Sequence, residues 1–363
     1  MPGLTGANGH KSMTVEPRLT YRRVLITRMR FIGDIVLTTP VLRSVRAACP
    51  DAFIAYMGDG NAVTLLEGNP FLDEIISYNY ARPGVLEQAR VGFLLKRKKF
   101  DIAIDLFGNP RSALLVRLSG APVRVGPNRR ERGRLYTLRV VDDGTPKTAV
   151  EFHNTYIAAA GIPPVATRTE LFLSEDEKRD AASYLRWACG KDFRSAGRPL
   201  VGIHPGATWP AKHWLPERFA ELADRLRAKL GAQVILTSGP GDAGAVAAVR
   251  SRAVSAPAAL NVLPLRQLAA VISRCGVFVS NDAAPMHIAA ALGVPTVGLF
   301  GPGEENIWFP YDRSGGHTPL RKDVPCHPCH LDLCTREGDG YMECMKLLTV
   351  AEVFAAVEHA LSR

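Results

Sequence analysis

The stretch Val277-Phe278-Val279-Ser280-Asn281-Asp282-Ala283-Ala284-Pro285-Met286-His287-Ile288-Ala289-Ala290-Ala291-Leu292-Gly293, running on to Pro295-Thr296-Val297-Gly298-Leu299-Phe300-Gly301-Pro302, decides the fold. Val277 to Ser280 is a short apolar run and reads as a buried strand. Asn281 and Asp282 stand where a helix N-cap belongs, Pro285 suits a first helical turn, and Gly293 suits a C-terminal end. Pro295 to Phe300 reads as a second buried strand. Such a strand–helix–strand unit belongs to an open parallel sheet, whose ligands bind at the carboxyl ends of the strands. Asp282, Ala283, Ala284 and His287 fall there, and the free N–H groups of a helix start favour a phosphate.

Working outward, the same unit recurs. Arg22 to Thr27, Ala52 to Met57, Glu74 to Tyr78, Phe100 to Leu106 and Pro122 to Gly126 read as strands of a first α/β domain. Between them Ile35 to Cys49, kinked at Pro40, and Ala81 to Lys99 read as helices, and a further helix follows Arg111 through Leu118. Glu175 to Cys189 is a helix, and Gly190 to Pro199 a polar linker. Leu200 to His204 opens a second domain, followed by the helix Pro216 to Leu230, the strand Gln233 to Thr237 and the helix Leu265 to Cys275. Strand–helix alternation with short loops predicts two doubly wound α/β domains. The expected division is a disordered tail at 1–20, domains at 21–190 and 191–348, and a terminal helix within 349–363.

Composition narrows the function classes. No apolar run reaches the ~18 residues of a membrane span, and Met1 to Thr20 lacks the apolar core of a secretory signal. Residues 1–170 hold 24 Lys and Arg against 15 Asp and Glu, whereas residues 171–363 hold 21 against 20. The net charge of +10 thus sits almost entirely in the first half and predicts an anionic partner there, or simply a basic solvated face. Arg129 to Arg139 hold a single aromatic, Tyr136, rather than the interleaved series of a stacking platform, so a nucleic-acid stacking surface is not expected. Seven cysteines, an odd number, and no signal segment predict a reducing cytoplasm.

Four constellations carry possible chemistry. Gly239-Pro240-Gly241-Asp242-Ala243-Gly244 fits the dinucleotide pattern and makes a nicotinamide-dependent dehydrogenase a rival reading. That pattern wants an acidic residue ~20 positions later, and none occurs between Asp242 and Asp282. Lys212, four residues after Thr208, either neutralises a phosphate or is a solvated surface lysine. Asp34, after Gly33 at a helix start, is either a cap or a general base for an acceptor hydroxyl. Cys326, Cys329, Cys334 and Cys344 form a structural zinc site, a disulfide pair or a cluster of free thiols.

These segments together resemble the family 9 glycosyltransferases, whose best-known members are ADP-heptose:lipopolysaccharide heptosyltransferases. The resemblance runs from Arg23 to the C-terminus. It rests on Val24-Leu25-Ile26-Thr27-Arg28 with Gly33-Asp34-Ile35-Val36-Leu37-Thr38-Thr39-Pro40, and on Phe100 to Leu106 with Gly108-Asn109 and Arg111-Ser112-Ala113. It rests further on His204-Pro205-Gly206-Ala207 with Lys212-His213-Trp214-Pro216, and on Asp282 through His287 to Gly301-Pro302. One position departs, because the family usually has glycine where Ala284 stands, and a methyl there narrows backbone approach to a diphosphate.

The resemblance implies a GT-B fold and an inverting heptose transfer from ADP-heptose, or from another nucleotide sugar, to an anionic lipopolysaccharide core acceptor. It implies no cofactor and no catalytic metal. Asp34 would be the base. Gly33, Thr208, Lys212, Gly239, Asp282, Ala283, Ala284 and His287 would bind the donor, and Asn109 and Arg111 the acceptor. The enzyme would be cytoplasmic, in transient contact with the inner face of the cytoplasmic membrane. A non-catalytic sugar-nucleotide or lipid binder is the remaining alternative.

Overall fold

The computed structural model describes residues 21–80, 84–190 and 197–363. The tail expected at 1–20, the helix start expected at Ala81 and most of the linker after Gly190 lie outside these residues. In the first sheet run β1 (Arg23–Thr27), β2 (Phe53–Asp59), β3 (Glu74–Tyr78), β4 (Ile102–Asp105), β5 (Val123–Pro127) and β6 (Leu138–Val140). In the second run β7 (Leu200–His204), β8 (Gln233–Leu236), β9 (Ala258–Ala259), β10 (Val277–Asn281), β11 (Thr296–Leu299) and β12 (Thr318–Leu320). The orders are β3-β2-β1-β4-β5-β6 and β12-β11-β10-β7-β8-β9, with every pairing parallel. Read from its first strand, each sheet has the same doubly wound order, so each has one switch point, between β1 and β4 and between β7 and β10. Helices cover both faces, which is why β1, β7 and β10 are nearly continuous apolar runs. This is the GT-B arrangement.

Several expectations need correction. The segment 35–49 is two helices, Ile32–Leu37 and Thr39–Ala48, broken at Thr38. Pro40, without an N–H, falls in the first turn of the second helix, where that donor would be unpaired anyway. The Thr38 hydroxyl donates to the Ile35 carbonyl and the Thr39 hydroxyl to that of Val36, filling the break. A helix at Ala149–Ala159 was not anticipated, although Thr148 and Glu151 form the capping box that announces it. The short edge strands β6, β9 and β12 were not anticipated either.

Division of the chain at 190/191 leaves the helix Glu175–Cys189 with the first sheet. Its buried residues Ala181 and Leu185 instead pack with Ile235, Leu268 and Ile272, on the second sheet's side. The helix Val350–Leu361 likewise enters the second core, where Val353 and Val357 meet Val277, Val279 and Val297. The two halves meet chiefly where Ile32–Leu37 packs on the helix Ala284–Ala291.

Candidate active site

The meeting of these two helices sets the site. A Cβ on Gly33 would lie 2.6 Å from Cδ2 of His287, so only glycine lets the helices approach this closely. Between the switch points opens a cavity of about 380 Å³ lined from both halves. Gly33 and Asp34 come from the first half, and Thr208, Lys212, Asp282, Ala283, Ala284 and His287 from the second.

Asp34 sits in the first turn of Ile32–Leu37. One carboxylate oxygen accepts from the Phe31 N–H (3.2 Å), and the other lies 2.5 Å from Nη2 of Arg28. Asp34 is therefore a helix cap and an ion-pair partner at once, with its edge toward the cavity. Arg28 is held in turn, since Nη1 donates to the Leu106 carbonyl (2.8 Å) and its guanidinium stacks on Phe107 (4.8 Å).

On the opposite wall Lys212 Nζ lies 2.5 Å from Asp282 Oδ2 and 4.5 Å from the centre of the Trp209 ring. The N-cap of Ala284–Ala291 is Ala283, not Asn281 or Asp282 as expected. Asn281 is instead a buried clamp: its amide donates to the Pro205 carbonyl (2.9 Å) and accepts from the Trp214 N–H (3.1 Å). Asp282 turns to Lys212. Among the described residues no side chain caps this helix. Pro285 has no N–H and the Met286 N–H donates to the Ala283 carbonyl (3.0 Å), so the N–H groups at Ala283 and Ala284, beside the cavity, are the ones placed to meet an anion.

His287 is buried in the same first turns, with Nδ1 2.5 Å from the Tyr311 hydroxyl. Burial lowers its basicity, against the pull of Asp282 and Asp34, so the ring is neutral near pH 7. Burial also raises the Tyr311 phenol well above its ordinary range, so Tyr311 keeps its proton.

Three expected residues lie outside this cavity. Gly239 is at the end of the neighbouring β8, where its N–H donates to Asp242 (2.7 Å). Asp242 also approaches the buried His204 (3.4 Å), whose pKa burial pushes down to about 4. Asn109 and Arg111 lie along the carboxyl edge of the first sheet and grip Tyr80. Asn109 donates to the Tyr80 hydroxyl (3.0 Å), and Arg111 donates to its carbonyl (3.0 Å) while covering its ring. Arg30 bridges to the cavity, with its guanidinium over both Tyr80 and Phe31. Buried Asp105 anchors this loop, accepting from the Phe107 and Gly108 N–H groups and from Tyr136.

Sequence reasoning did not single out Arg28, Phe31, Trp209, Gly303, Trp308 or His330 as lining residues. His330 arrives on the segment between β12 and the helix Glu343–Lys346. That segment is bonded to both loops beneath it. The Ala211 N–H donates to the Asp332 carbonyl (2.9 Å), the His330 N–H to Pro302 (3.0 Å), and His327 Nε2 is 2.9 Å from the Gly303 carbonyl. The four cysteines of this region are free thiols. Burial raises Cys344 to about 11, with smaller contributions from Cys326, Cys329 and Cys334 nearby. Among the described residues no group of three or more His, Cys, Asp or Glu is placed to hold a metal ion.

Two doubly wound domains with their switch points opposed across one cleft define a GT-B glycosyltransferase. The chain belongs to glycosyltransferase family 9, the heptosyltransferase family, whose pattern matches residues 89–338. It is 30% identical to lipopolysaccharide heptosyltransferase 2 of Escherichia coli K12, over 91% of this chain and 99% of that one. Among solved structures it resembles E. coli ADP-heptose LPS heptosyltransferase II, at 26% identity and a TM-score of 0.76, over 94% and 98% of the two chains. A family 9 glycosyltransferase from Veillonella parvula shares the fold, with a TM-score of 0.82 at 24% identity over 95% and 99%.

Proposed function

We propose that the protein transfers a heptose from ADP-heptose to a hydroxyl of the lipopolysaccharide inner core, with inversion and without a metal. The observation that carries this is the pairing of one carboxylate, Asp34, with an uncapped helix start and Lys212 across a single cavity. The relatives named for lipopolysaccharide heptose transfer supply the sugar and the acceptor class.

In this reading Asp34 takes the proton of the acceptor hydroxyl as its oxygen attacks the anomeric carbon. The bond from that carbon to the diphosphate breaks, and ADP leaves from the opposite face, inverting the centre. Charge grows on the departing diphosphate. Lys212, Thr208 and the N–H groups at Ala283 and Ala284 meet it, a role a divalent cation plays elsewhere. With the Tyr311 hydroxyl donating to Nδ1, the neutral His287 ring carries its proton on Nε2 and donates a hydrogen bond from there to a phosphate oxygen. Asn109 and Arg111 hold the acceptor through the Tyr80 edge, and Gly239 lies beside the nucleoside.

The first domain's charge suits a phosphorylated acceptor carried by a membrane. Among the described residues no helix is long and apolar enough to cross a bilayer. The enzyme would work in the cytoplasm, in transient contact with the inner face of the cytoplasmic membrane. ADP release from ADP-heptose, with and without a heptose-deficient core acceptor and in excess EDTA, tests the reading. Release that needs the acceptor and survives EDTA is expected. Release abolished by EDTA would overturn the metal-free step, and no release with bound ADP would overturn the choice of sugar or acceptor.

A further inference from the structure

A solvent-facing helix normally turns charged and polar residues outward. The helix Val85–Arg97 does so only in part. It buries Val91, Gly92 and Leu95 against the first sheet, while Leu86 is 87% exposed and Phe93 64%. Leu86, Arg90, Phe93 and Arg97 follow one another at spacings of four, three and four, so they share one stripe. The Arg97 guanidinium lies over the Phe93 ring.

The neighbouring helix Pro110–Leu118 continues the surface. Leu114 and Leu118, one turn apart, are both exposed, and Leu118 packs directly on Gly92, where a Cβ would come within 2.8 Å of it. Leu86, Phe93, Leu114 and Leu118 therefore belong to one outward face of two packed helices. Such an apolar area on a soluble domain marks an interaction surface.

The charge around it states which kind. Lys96, Arg97, Lys99 and Arg117 are exposed, and among the described residues none has an ionic partner. The single acid in 85–99 is Glu87, already paired with Arg90, and 110–118 contains none. Both helices start at the carboxyl edge of the first sheet, the second at Asn109 beside Tyr80. The face thus begins beside the site with Leu86 and runs away from it, with the four cations toward the far ends of the two helices.

We propose that the face formed by Val85–Arg97 and Pro110–Leu118 is the surface on which the protein docks to an anionic phospholipid bilayer. Leu86 and Phe93 enter the headgroup boundary, and the four cations meet lipid phosphates. A second copy of the chain fits poorly, because a two-fold contact here would set these cations against themselves. The location of the surface rests on geometry alone. Its purpose, holding the site over a lipid-borne acceptor, rests on the proposed function.

The test is co-sedimentation of the full chain with phosphatidylethanolamine–phosphatidylglycerol vesicles, against phosphatidylcholine vesicles. Partitioning into the anionic vesicles that weakens with salt is expected. The double variant Leu86→Glu/Phe93→Glu should lower it by roughly tenfold or more, as should Lys96→Glu/Arg97→Glu. Both should keep the parent melting temperature and parent turnover on a core acceptor stripped of its acyl chains. Equal vesicle binding by parent and variants, or none by the parent, would overturn the proposal. So would a parent dimer that Leu86→Glu/Phe93→Glu dissociates, since the face would then hold a second copy. Vesicle binding that the variants lose, with no turnover by the parent on any core acceptor, would leave the docking surface standing and sink the heptose reading instead.

Discussion

Gly33 and His287 touch across the two halves, with the position of a glycine Cβ 2.6 Å from the imidazole Cδ2. His287 is held from behind by Tyr311, so it has little room to withdraw. Gly33→Ala should push the two helices apart at a cost of about 1–3 kcal/mol. Because the same contact sets the distance between Asp34 and the opposite wall, kcat should fall more than tenfold, as misplaced reacting groups do. A variant with parent kcat and melting temperature would show that the contact yields freely.

Among the described residues Asp34 is the one carboxylate from the first half that lines the cavity. Asp34→Ala should abolish turnover while ADP affinity, measured by calorimetry, stays within about a few-fold. Arg28→Ala should act through the same group, because Arg28 positions that carboxylate from 2.5 Å. It should lower kcat with little change in donor KM. Turnover at the parent rate by Asp34→Ala would remove the base from the mechanism.

Lys212 neutralises Asp282, whose side chain is 6% exposed. Lys212→Ala leaves that carboxylate uncompensated beside the proposed diphosphate, so repulsion adds to the lost attraction. ADP should bind at least tenfold more weakly, equivalent to about 1.4 kcal/mol. The double variant Lys212→Ala/Asp282→Asn should recover part of the loss. Unchanged ADP binding by Lys212→Ala would place the diphosphate elsewhere.

Buried histidines give the fold an acid limit. Burial pushes His153 down to about 3, although its Nδ1 faces the Leu37 carbonyl, and His204 to about 4. Both stay neutral in the folded protein at pH values where the unfolded chain, with its ordinary value of about 6.5, takes up the protons. Their destabilising effect is absent above pH ~6.5 and grows as pH falls, until each folded-state value is reached. Each contributes a slope of about 1.4 kcal/mol per pH unit in that window. His153→Gln should remove one such increment from urea unfolding measured between pH 4.5 and 6.5. An unaltered slope would mean that His153 titrates normally.

The strands were legible because burial on both faces writes them as continuous apolar runs, as in Leu200–His204. Helices with punctuated ends were legible as well: Pro216 and Gly231 bracket Pro216–Leu230. The two-residue β9 carries too little pattern to read. As cavity-lining residues, Gly33, Asp34, Asp282, Ala283, Ala284 and His287 could be picked out because they stand at the start of a helix in an α/β unit, and Thr208 and Lys212 because they lie in the loop that leaves β7. Arg28 could not, since the six residues to Asp34 cross a strand end and a loop whose path the sequence leaves open. Trp308 reaches the cavity from the end of the short helix Glu305–Trp308 and His330 from a loop, both far along the chain. Asn281 misled because a side chain suited to capping a helix is equally suited to bridging buried carbonyl and N–H groups.

The segment carrying His330 and Asp332 has a consequence for chimeras between relatives. Its backbone supplies the acceptor for the Ala211 N–H and bonds to Pro302, so the loop bearing Lys212 takes its shape from residues more than a hundred positions downstream. A graft that exchanges the Lys212 loop and stops at β12 would separate that loop from its own template. If the Lys212 loop holds the donor as proposed, donor preference is transplantable only as a pair of distant pieces moved together.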